Sequence, residues 1–162
     1  MVLHFTDKLR RKLHVPELTQ VDVAAGKHLR WYANLFTAQR VQYILTTNAA
    51  SLFSVVIYGR GITDDGDYIR QFLRELREHL EDLGLRLVYE RVIALKTGEI
   101  TFAKTANHSV LGSMNDMVNL CKHSLDCEKL SPWQLTKDLN GTPFKAIGYG
   151  FPKEVFAHMA PD

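Results

Sequence analysis

Apolar residues recur along this chain with two different periods, and the points where the period changes mark out its elements. Ile69, Phe72, Leu73, Leu76, Leu80 and Leu83 fall on one face of a 3.6-residue helix. Asp64-Asp-Gly-Asp67 opens that helix with carboxylates suited to its positive end, and Gly84 is a natural stop. Arg74–Glu78 and Arg77–Glu81 pair on its wet side. Upstream the period shortens to two. Trp31, Ala33, Leu35 and then Val41, Tyr43, Leu45 alternate with other residues across the link Thr37-Ala-Gln-Arg40, which predicts a β-hairpin. A third strand is expected over residues 52–58, ending at Gly59-Arg60-Gly61. The short link Thr46-Thr-Asn-Ala-Ala-Ser51 makes it antiparallel to the second and the whole a meander. Trp31, Ala33 and Leu35 then face a core. Tyr32, Asn34 and Phe36 line the other face, which must be covered by a helix or used for binding.

The remaining segments complete the outline. Residues 2–5 form a short opening strand, and Thr6 and Asp7 begin a helix carried by Leu9 and Leu13 until Pro16 stops it. Residues 17–28, polar and aperiodic, form a connector. Residues 85–95 and 100–103, joined by Lys96-Thr-Gly-Glu99, are expected to make a second hairpin. Met114, Met117, Val118, Cys121 and Leu125 give a second long amphipathic helix. Ser131-Pro-Trp133 opens a third, with Leu135 and Leu139 inside and Asn140-Gly141 at its end. Pro143, Phe144, Ile147, Tyr149 and Phe151 lie in a tail laid over the core. The predicted fold class is α+β: an antiparallel sheet (meander plus second hairpin) with three to four helices packed on it, a single domain over residues 1–162.

Size and composition narrow the function. A chain of 162 residues can bury a core without staples, and 46% hydrophobic with 23% charged residues is ordinary for a globular protein. No apolar run reaches the roughly 18 residues that cross a bilayer, and Met1-Val-Leu-His-Phe5 leads straight into charge. No membrane partner is expected, and the cytoplasm is the expected address. Cys121 and Cys127 do not make a disulfide framework, and Cys121-Lys-His-Ser-Leu-Asp-Cys127 matches no common zinc spacing. Neither metal nor cofactor is expected. The net charge of +2 is unevenly spread. Residues 1–40 hold seven Lys/Arg against three Asp/Glu, concentrated at Lys8, Arg10, Arg11 and Lys12, while residues 41–162 hold thirteen against fifteen. Such a run either neutralises phosphates or forms the solvated face of a short helix.

One junction gathers most of the candidate chemistry: Lys104, Asn107, His108, Ser109, Ser113, Asn115 and Asp116. Either Ser113 caps the helix with Asp116 reaching back, or Ser109 caps it with Gly112 in the first turn. In both cases free amides and the positive end of a helix point at one place, where an anion could bind. The plainer alternative is a well-capped helix without a ligand. His108 offers an imidazole for proton transfer, but no partner carboxylate is set by spacing. Arg60, between glycines, can clamp a carboxylate or phosphate, or bridge internally to Asp64 or Asp65. The acidic run 64–67 lacks the ligand periodicity of a calcium loop.

Ile100-Thr-Phe-Ala-Lys-Thr-Ala-Asn-His-Ser-Val-Leu-Gly-Ser-Met-Asn-Asp116 resembles the signature of an uncharacterised bacterial family, a domain of unknown function. Its members run from a strand through Lys-Thr and a short turn into Arg-Ser-Val-Leu-Gly-Ser-Met-Asn-Asp. Trp31-Tyr-Ala-Asn-Leu35 with Thr47-Asn48, and Leu139-Asn-Gly-Thr-Pro143 with Tyr149 and Pro152, are similar too, as is Phe5-Thr-Asp-Lys-Leu9 with Leu13 and Pro16. His108 stands where the family commonly has arginine, and would replace it toward an anion only when protonated. The resemblance implies a fold unit and a candidate site but no activity.

Three functions follow. The first is a non-enzymatic binding module that engages nucleic acid or another protein around residues 107–116, with Arg60 and Arg11 nearby. The second is a metal-independent phosphodiesterase or toxin-like ribonuclease. It would use His108 as acid or base, Arg60 as clamp and Asn115 or Asp116 as orienter. The third is a purely structural cap.

Overall fold

A computed structural model describes residues 1–18 and 25–159, so residues 19–24 of the expected connector lie outside the described residues. The central meander forms as its alternation predicts. β2 (Arg30–Ala38), β3 (Val41–Asn48) and β4 (Ser54–Tyr58) run antiparallel in sequence. The sheet as a whole is mixed rather than antiparallel. β1 (Val2–Phe5) inserts between β2 and β5 (Thr101–Lys104) and is parallel to both, giving the order β4-β3-β2-β1-β5. All four residues of β1 are buried, as befits a strand paired on both sides and covered on both faces.

The second hairpin does not form. Residues 86–96 are helical: α3 (Arg86–Val88), a π turn over Tyr89–Ile93 and a 3-10 turn over Ala94–Lys96. The spacing Leu85, Val88, Tyr89, Ile93 is helical, and these side chains pack on the core beneath them. Rich in branched residues, the run imitates a strand, and only its packing decides. Only β5 remains of the hairpin, so it enters the sheet by a crossover beside β1.

Among the described residues six helices rather than three or four clothe the sheet: α1 (Asp7–Lys12), α2 (Asp65–Asp82), α3, α4 (His108–Cys127), α5 (Pro132–Asn140) and α6 (Pro152–His158). One face carries Leu3, Phe5, Trp31, Ala33, Leu35 and Ile44 against Tyr68, Phe72, Leu76 and Leu80 of α2, with Leu9, Ile93 and Phe156 closing the edges. The opposite face, with Tyr32, Phe36, Tyr43 and Leu45, is covered by Met114, Met117 and Cys121 of α4 and Leu135 and Leu139 of α5. Thus the aromatic face of β2 is consumed by packing. The expected tail is a 3-10 turn followed by α6, whose Phe156 is fully buried while Tyr149 and Phe151 are exposed.

The free edge of β4 is sealed by side chains of α5. Thr136 Oγ1 accepts from Val56 N at 2.9 Å, and Asn140 accepts from Ser54 N at 2.9 Å while donating to Ser54 O at 2.7 Å. Two side chains therefore stand in for a missing strand, and the edge cannot template another chain there.

Candidate anion-binding site

The start of α4 is capped by Asn107, not by Ser113 or Ser109. Asn107 Oδ1 accepts from Ser109 N at 3.0 Å and Val110 N at 3.2 Å, and Leu111 N reaches Asn107 O. Two of the amides that would form an anion nest, those of Ser109 and Val110, are thus spent on the cap, and the Leu111 amide makes the first bond of the helix itself. Ser113 lies in the helix interior, buried, its hydroxyl donating to Ser109 O at 3.1 Å. The reason is packing: Val110 and Met114 must both reach the sheet, so the helix begins before them. His108, Ser109, Asn115 and Asp116 lie exposed on the outer face of α4, and Lys104 is exposed at the end of β5. The Lys104 carbonyl accepts from the His4 ring at 3.0 Å. Gly112 is exposed too, and a Cβ there would meet open space, so no packing contact demands glycine.

Arg60 is elsewhere. It follows β4, at one edge of the sheet, whereas Lys104 ends β5 and His108 follows it at the other. Four interstrand steps separate these edges, roughly 19 Å at the usual spacing. Arg60 and His108 therefore share no cavity, and a two-residue mechanism on one phosphodiester is out of reach.

What the fold gathers around Arg60 is a different group. Because β3 starts at the β2–β3 turn and β4 ends beside that start, the meander brings Arg40 next to Tyr58 and Arg60. α1 adds Lys12, whose ammonium donates to Gln42 Oε1 at 2.9 Å. Together Lys12, Arg40, Val41, Gln42, Tyr58, Arg60 and Gly61 line a cleft of about 970 Å³. Three of the seven are cations and none is an acid. No carboxylate among the described residues pairs with Arg40 or Arg60. Asp64 instead caps α2, accepting from Asp67 N at 2.8 Å, so the internal bridge to Arg60 does not form. Gly59 lets the cleft close: its amide donates to Gln42 O at 2.7 Å, and a Cβ would lie 3.1 Å from Gln42 Cβ.

Tyr58 is the outermost member of an aromatic row. Phe36 stacks on Tyr43 at 5.3 Å, and Tyr43 meets Tyr58 at 5.5 Å. Tyr43 is buried, but Tyr58 is 49% exposed. The rest of the basic run contributes less. Arg10 turns inward to Val15 O at 3.0 Å, and Arg11 and Lys8 are exposed outside the cleft.

A family model for a domain of unknown function, DUF6933, matches residues 2–155. The chain belongs to that DUF6933 family. No curated protein and no solved structure matches it. The family match takes in every strand of the sheet and all of α4 and α5. Two segments picked out by resemblance have structural work. Asn48 accepts from Ala50 N, Ser51 N and Ser51 Oγ and donates to Lys27 O and Arg30 O, fixing the turn after β3. Asn140 seals the sheet edge as described.

Other reactive groups of this DUF6933 chain are separate. Cys121 is buried, and burial pushes its thiol up to about 12, leaving it unreactive. Cys127 is exposed at the end of α4, 4.0 Å from the ring of His123. Among the described residues no group of three His, Cys, Asp or Glu could hold a metal, and no helix is long and apolar enough to cross a membrane. Sequence reasoning named Arg60 and the basic run but passed over Arg40, Gln42 and Tyr58. The signal was present: in a meander, the turn before the second strand and the end of the third are neighbours.

Proposed function

We propose that this DUF6933 chain is a binding module for an anionic partner, held in the cleft of Lys12, Arg40 and Arg60. The observation that carries the reading is a cleft with three cations and no lining carboxylate, two of its guanidiniums lacking any partner among the described residues. An arginine without an internal acid has its planar fork free for phosphate or carboxylate. Gly59 and Gly61 (φ 84°) hold Arg60 at the mouth, and both are positions where a larger residue is penalised by contact or by backbone. The start of α4, with the Ser109 and Val110 amides consumed by Asn107, is a weaker receptor.

Inorganic polyphosphate is the simplest probe. Titration calorimetry should give binding that weakens with added salt, and Arg60→Glu or Arg40→Glu should each raise Kd by about ten-fold, close to the loss of one charge-assisted contact. Arg11→Glu, exposed outside the cleft, should change Kd by less than about three-fold. Equal losses at Arg11 and Arg60, or no binding at all, would refute the assignment of the cleft.

A further inference from the structure

We infer that the anion taken by this cleft is a single-stranded nucleic acid. The inference rests on the cleft reading above and adds the role of Tyr58. A cleft for bare phosphate needs cations only, and an exposed aromatic ring in it adds a π face that phosphate does not use. Tyr58 is that ring. It lines the cleft together with Lys12, Arg40 and Arg60, and Tyr43, itself stacked on Phe36, packs against it. Backed by the buried Tyr43 ring, it offers a platform with about half of its surface in solvent. One exposed ring beside three cations offers a stacking face for a base and charges for the phosphates on either side of it in an unpaired strand. A duplex presents phosphates but keeps its bases stacked inside, so it would leave Tyr58 idle. A phosphorylated peptide would use the cations but carries no group that must stack on the ring. The cleft is lined by seven residues, which suits a short stretch of strand rather than a long path.

Three neutralised phosphates give a salt slope of about −2 for a single strand, so affinity should fall about 16-fold between 50 and 200 mM salt. The test is fluorescence anisotropy with a labelled ten-nucleotide oligouridine, run beside duplex RNA of the same length, a phosphopeptide and inorganic polyphosphate. Oligouridine should bind more tightly than the duplex or the phosphopeptide. Tyr58→Ala should weaken oligouridine binding about ten-fold or more, Tyr58→Phe should restore it, and neither should alter polyphosphate binding. Because Tyr58 is half exposed, both variants should fold, which circular dichroism checks. If Arg60→Glu weakens every ligand while Tyr58→Ala weakens none, the nucleic-acid inference fails and the anion cleft stands. Duplex or phosphopeptide binding as tight as oligouridine also overturns it. If neither oligouridine nor polyphosphate binds, both readings fall together.

Discussion

Arg40 occupies a backbone position that ordinarily belongs to another residue. Ala38 pairs with Val41, so Gln39 and Arg40 form a two-residue hairpin turn, and both have positive φ, 49° and 62°. Turns of this kind favour Asn-Gly, because a side chain in the left-handed region costs about 1 kcal/mol. Gln39 is tied down by a side-chain hydrogen bond to Asp126 of α4. Arg40 has no comparable compensation among the described residues, and it lines the cleft. A residue held against local preference at the rim of the proposed cleft fits strain retained for binding. Arg40→Gly should therefore raise stability by about 0.5–1 kcal/mol in urea unfolding while weakening polyphosphate binding. A variant that loses stability would show that the arginine supports the turn instead.

At the scale of elements, α4 shows how a local signal yields to packing. Ser113-Met-Asn-Asp116 has the look of a cap, but Val110 is only 4% exposed and can pack only if the helix already includes it. β5 ends at Lys104, three residues before Asn107, which leaves Asn107 to meet the free amides. Asn107→Ala should cost about 1 kcal/mol, and Ser113→Ala clearly less, both measured by urea denaturation. A larger loss at Ser113 would mean that its bond to Ser109 O matters more than the cap. α2 behaves as its pattern says, and the structure adds two residues to its buried face. Tyr68 hydroxyl meets Thr46 Oγ1 at 2.8 Å, and His79 stacks on Trp133 of α5 at 3.7 Å. One of its two expected ion pairs forms, Arg77–Glu81 at 2.9 Å, while Arg74 turns to Glu75.

The whole molecule carries a predictable acid sensitivity. Burial pushes the His79 imidazole down to about 4, with Asp82 opposing the shift and Lys137 adding to it. His4, stacked on Tyr32 at 4.4 Å, is also lowered by burial. In both cases the unfolded chain takes up protons below an ordinary pKa of about 6.5, while the folded chain does not. The stability these rings leave intact is fully present above that pH and is lost as pH falls toward the folded values. Between pH 7 and 5 His79 should account for a loss on the order of 2 kcal/mol. His79→Phe keeps a ring against Trp133 and removes the titration. The urea midpoint of that variant should fall less steeply over this range, and an unchanged slope would exclude His79 as the source.

How far the chain could be read from its residues depended on whether the deciding contacts were local. Alternation in β2 and β3, the face of α2 and the Ser131-Pro132 start of α5 are properties of neighbouring residues, whose geometry is fixed by the backbone itself. Those were determined by sequence, as was the suspicion attached to Arg60. The insertion of β1 between two parallel neighbours, the helical state of residues 86–96 and the sealing of β4 by Thr136 and Asn140 were decided by tertiary structure. Each depends on a surface made by residues far along the chain. The cleft belongs to the second kind. Lys12, Arg40, Tyr58 and Arg60 are unremarkable one by one, and become a common field only when strand register and the docking of α1 set them side by side.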